Sequence, residues 1–77
     1  MRKYIDLRKM NTAIKLQHIA ARDADRISNR DEALKVAGAY HLAYRFFKEA
    51  GCKEDSERCE RQISYIVKKY FEELSIP

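Results

Sequence analysis

The sequence predicts an all-α fold, a three-helix up-down-up antiparallel bundle, with residues 1–77 forming a single helical domain. Three observations lead there. In the segment DEALKVAGAYHLAYRFFKEA (residues 31–50), Ala33, Ala37, Tyr40, Ala43, Tyr44, Phe47 and Ala50 recur at steps of three and four, which is one stripe along a helix. Breaks at Ser28-Asn29 and at Gly51 divide the chain into three pieces of comparable length. Breakers are otherwise scarce: two glycines and one proline in all, which favours long helices over many short strands.

The first helix is expected over residues 6–27. Leu7, Met10, Ile14, Ala21 and Ala24 form one apolar row, and Ala13, Leu16, Ala20 and Ile27 an adjacent one, together a wide buried face. Asp6 or Asn11 can cap it by accepting a bond from a free first-turn amide, with Tyr4 and Ile5 packing ahead of it. The second helix is expected over 30–50. Asn29 and Glu32 have the spacing of a reciprocal capping box, Asp31 and Glu32 put negative charge on the positive end of the helix, and Gly51 supplies a left-handed cap. The third is expected over 54–74, burying Cys59, Ile63, Ile66, Val67, Tyr70, Phe71 and Leu74. Glu54–Arg58, Glu57–Arg61, Lys68–Glu72 and Lys69–Glu73 are four-residue pairs of opposite sign on its outer face. Residues 1–5 and 75–77 are expected to fray.

Composition narrows the class. With 45% hydrophobic residues the chain is no disordered tail, and 36% charged residues suit a thin bundle that exposes much of each helix. A domain this small buries only about 60% of its unfolded surface, so its stability is expected to be modest. No run approaches the roughly 20 apolar residues that cross a bilayer, and the basic start MRKYIDLRKMN lacks the apolar core of a secretion signal. Cytoplasmic residence is therefore expected, with Cys52 and Cys59 as reduced thiols. Their spacing matches neither a metal knuckle nor a redox pair, and one in a turn and one in a helix are poorly placed for a disulfide.

Once the helices are placed, the phrase Asn29-Arg30-Asp31-Glu32-Ala33-Leu34, followed by Ala37, Tyr40, Ala43, Phe46, Phe47 and Ala50, is similar to tetratricopeptide-type helical hairpins. With the first helix included, residues 13–74 resemble the three-helix microtubule-interacting and trafficking domain. The resemblance implies binding of short peptide segments of partner proteins in grooves between helices.

Catalytic chemistry finds no footing. The serines lack an elbow motif, no Gly-rich phosphate loop exists, and the acid pairs Asp23/Asp25 and Glu72/Glu73 sit at helical spacings that leave them apart and solvated. His18 and His41 have no partner at ligand spacing, so neither a metal nor a cofactor is expected, and no enzyme. The expected function is that of a small adaptor or regulator acting by protein–protein contact through an inter-helix groove, between the second and third helices, or an exposed aromatic face. Leu42, Phe46, Tyr65 and Phe71 are its candidate contact residues. Phe46 falls about 100° round the helix from Phe47, so either the second helix is sandwiched by the other two or Leu42 and Phe46 form an exposed anchor.

The charge is uneven. Residues 1–22 carry six basic side chains against Asp6 alone, within a chain of net charge +4. An alternative is thus a nucleic-acid-associated accessory protein using Arg2, Lys3, Arg8, Lys9 and Lys15 as phosphate contacts. A third is a homodimer or an obligate homo-oligomeric structural subunit, which the small core would favour.

Overall fold

The computed structural model describes residues 5–71, an antiparallel up-down-up bundle of three helices: α1 (Leu7–Ala24), α2 (Arg30–Ala50) and α3 (Lys53–Tyr70). Asp6 is the cap of α1. Its carboxylate accepts from the backbone amides of Arg8 (3.1 Å) and Lys9 (3.2 Å). The helix stops at Ala24, three residues short of the expected Ile27. There the chain tightens into a turn closed by the Arg26 amide on the Asp23 carbonyl (3.0 Å). It must unwind at this point because Asn29 needs extended backbone (φ −154°, ψ 174°) to cap α2. Ile27 still packs on the core from outside the helix, which is why apolar periodicity ran through it.

The Asn29 side chain accepts from the Glu32 amide at 2.9 Å. Glu32 does not answer on the Asn29 amide as the capping box anticipates. Its carboxylate instead accepts from the Ser28 amide at 2.9 Å and from the Ser28 hydroxyl, one residue earlier. At the other end Gly51 adopts φ 90°, ψ 13°. The Gly51 amide reaches the Lys48 carbonyl (3.2 Å) and the Cys52 amide the Phe47 carbonyl (2.8 Å), a Schellman closure that fits α2 to α3 in a single turn. α3 starts at Lys53, one residue before the expected Glu54. Leu74, Glu72 and Glu73 lie outside the described residues, and with them the Lys68–Glu72 and Lys69–Glu73 pairs, Tyr4 and the chain ends.

α2 is the central element: α1 and α3 each pack along it and barely touch one another. The start of α1 lies beside the end of α2, tied by the Asp6 amide on the Ala50 carbonyl (3.0 Å) and by Lys9 against Glu49 (3.0 Å). The core comprises Ala13 and Ala20 of α1, Ala33, Val36, Ala37, Tyr40, Ala43, Phe47 and Ala50 of α2, and Cys52, Cys59 and Ile66. Half of these are alanines, so the helix axes approach closely and Phe47 and Tyr40 fill what space remains.

The α1 face differs from the expected one. Leu7 is 63% exposed and Ala21 is exposed, because α1 meets one neighbour rather than two and only a narrow arc around Ala13 and Ala20 is covered. Met10, Ile14 and Leu16 flank that arc. On α3, Arg58 pairs with Asp55 at 3.5 Å rather than with Glu54, and Glu57 and Arg61 form no ion pair among the described residues.

Candidate functional site

Since α1 and α3 share α2 without closing on each other, a cleft runs between them. Tyr40 of α2 lies at its floor, with Gln17 and His18 of α1 on one wall and Arg58 and Gln62 of α3 on the other. Toward the C-terminal ends of α1 and α3 the cleft narrows into a recess of about 240 Å³, formed by Ala24, Asp25, Ile27, Ile66, Tyr65 and Tyr70. Tyr65 stands at this mouth, 59% exposed. The Lys69 ammonium lies 5.7 Å from the Tyr65 ring centroid and 5.4 Å from that of Tyr70, bracketed by two aromatic rings of its own helix. Such exposed cation–π contacts are weak and act mainly by biasing rotamers. The same two tyrosines raise the Lys69 pKa, through charge interaction with Tyr65 foremost. Arg61 and Lys68 flank the other side of Tyr65 together with Glu60, and Asp25 lines the recess, so the ring sits among three cations and two carboxylates.

The four candidate contact residues are not assembled on one surface. Tyr65 lines the cleft, while Leu42, 46% exposed, lies on the outer face of α2. Phe46 and Phe71 are half-buried against the core. For Phe46, α2 being sandwiched between α1 and α3 accounts for the aromatic shoulder beside Phe47. The groove between α2 and α3 exists as a depression of about 530 Å³, lined by Tyr44, Lys48, Ser56, Glu57 and Glu60 and by none of the four. There Lys48 sits 5.7 Å from the Tyr44 ring centroid, and His41 stacks on Tyr44 at 6.0 Å. Lys69 between Tyr65 and Tyr70 was missed at the level of sequence because its charge was assigned to Glu73. The i−4 aromatic was the available signal.

The cationic candidates divide. Arg2 and Lys3 lie outside the described residues. Lys9 is half-buried and committed to Glu49. Arg8 and Lys15 are exposed, and Arg22 continues them at seven-residue steps, close to one line along the outer side of α1. No acidic side chain interrupts Leu7–Arg22. Arg22 does touch Asp23 at 3.5 Å.

The thiols are unsuited to nucleophilic work. Cys52 and Cys59 are unpaired and buried, and burial pushes both pKa values up, which keeps them protonated. Burial likewise raises the Tyr40 phenol. No group of His, Cys, Asp or Glu among the described residues could hold a metal ion, and none of their helices is long and apolar enough to cross a membrane. No family model matches the chain, and no curated protein or solved structure is found to match it.

Proposed function

We propose that this chain is a non-catalytic helical adaptor, working in the cytoplasm, whose α1/α3 cleft takes a peptide segment of a partner protein. The observation that carries the proposal is Tyr65, an exposed aromatic at the rim of a mixed recess whose apolar part is Ala24, Ile27 and Ile66, with Arg61, Lys68 and Lys69 close by. Tyrosine and arginine are the residue types that dominate interface hot spots, since a ring offers large contact area at little entropic cost. The complementary segment presents an apolar side chain to Ile27 and Ile66 and carboxylates to Arg61, Lys68 and Lys69. The resemblance to peptide-binding helical hairpins and to the microtubule-interacting and trafficking domain points the same way.

Affinity capture from nuclease-treated cell extract tests it. The wild-type chain should retain a protein that Tyr65→Ala loses, while the variant keeps its helicity because Tyr65 supports little of the core. Bound proteins indifferent to Tyr65→Ala would overturn the cleft assignment.

A second proposal is favoured by one specific observation, the uninterrupted Arg8–Lys15–Arg22 line. A polyanion laid along α1 would release counterions, so its affinity would fall steeply with salt. Anisotropy with a labelled duplex and a single strand, on wild type and on the Arg8→Glu/Lys15→Glu double variant, separates the two. Salt-sensitive binding lost in the double variant, but not in Tyr65→Ala, would put the nucleic-acid role first.

A further inference from the structure

The stripe that α2 buries leaves its opposite face uncovered by α1 or α3. On that face Leu34 is 63% and Leu42 46% exposed. Gly38 lies between them, exposed, and apart from its own turn of helix no atom of the described residues comes within 4 Å of where a Cβ would stand. A glycine in an exposed helix interior weakens the helix, and nothing among the described residues requires this one. Asp31 and Arg45 are also exposed and take part in no ion pair among the described residues.

These five residues are arranged symmetrically about Gly38. Leu34 and Leu42 sit four residues to either side, rotated roughly 40° each way, and Asp31 and Arg45 sit seven to either side, rotated roughly 20°. A two-fold axis through Gly38 therefore carries Leu34 onto the position of Leu42 and Asp31 onto that of Arg45. We infer that the outer face of α2 is a homodimer surface, on which a second copy of the chain packs antiparallel with Gly38 at the two-fold axis. Each Leu34 then meets Leu42 of the second copy, and each Asp31 meets Arg45 of the second copy. The absence of a side chain at Gly38 lets the two backbones draw together. Charge selects the orientation: a parallel pair would set Asp31 on Asp31 and Arg45 on Arg45. This face is separate from the Tyr65 cleft, so the inference stands or falls independently of the adaptor proposal.

A single helix pair buries less than the roughly 1,200 Å² of a stable interface, so the dimer is a weak one. Sedimentation velocity on the full chain, from about 10 μM to about 1 mM, should show a monomer converting to a dimer over that range, as a weak interface requires. Asp31→Lys and Arg45→Glu should each abolish the conversion, and an equimolar mixture of the two variants should restore it, because both cross-pairs are then attractive. Gly38→Gln removes a helix-weakening residue and points into open space, so it should keep full helicity by circular dichroism while losing the dimer. A constant sedimentation coefficient up to the highest concentration overturns the inference. So does a dimer that survives Gly38→Gln, or two charge variants whose mixture stays monomeric.

Discussion

Gly51 sits where a side chain would be strained, and with Cys52 it closes the carbonyls of Phe47 and Lys48. Gly38 has the opposite character: ordinary helical backbone, open space beside it and no internal reason to lack a side chain. Gly38→Ala should accordingly raise monomer stability by about 0.5–1 kcal/mol, read by urea denaturation at low micromolar concentration. No gain would mean that the glycine already serves the monomer. At this scale the sequence was informative where chemistry is local. Asn29 and Gly51 could be identified as caps because each acts on amides within a few residues. Leu7 is exposed where its apolar row wrongly predicts burial, and for Phe46 the sequence leaves two readings open, because their burial depends on how many neighbours each helix has, a property of the whole bundle.

Among the elements, α2 was the most legible, since both ends carry chemical signals and its buried stripe is unbroken. α1 was the least: its apolar residues occupy two rows, and the two that are fully buried are alanines, whose burial only close packing explains. The α2 start carries a pH signature. The Ser28 hydroxyl, and after it the Ser28 amide, hold the Glu32 carboxyl below its ordinary value. Because the folded-state pKa is the lower one, ionised Glu32 stabilises the fold. That contribution is complete above the unfolded value, about 4.3, and is lost as pH falls through the folded one. Glu32→Gln should therefore melt below wild type at neutral pH, with the gap shrinking as pH falls below about 4. A gap of constant size in parallel melting curves would remove the carboxylate from that role. The Tyr65 site was half legible: its exposure follows from helical phase, but the recess beside it needs Ala24 and Ile27, brought there by the end of α1 and the connection that follows it.

For the molecule as a whole, the core is thin and built around alanines, and Cys59 lies at its centre with no exposed surface. Its thiol should react with an aromatic disulfide reagent only when the bundle opens. The rate of labelling in increasing urea should then track global unfolding measured by circular dichroism. Rapid labelling in buffer would mean that α3 detaches from α2 without the rest. α1 and α3 each lean on α2 and barely on each other, so nearly all packing joins helices adjacent in the chain. Little loop entropy separates such contacts in sequence, and low contact order places folding in the microsecond-to-millisecond range. On a ribosome the α1–α2 half of that packing can form as soon as Ala50 has emerged, the Asp6 amide closing on the Ala50 carbonyl before α3 arrives to cover the rest of α2.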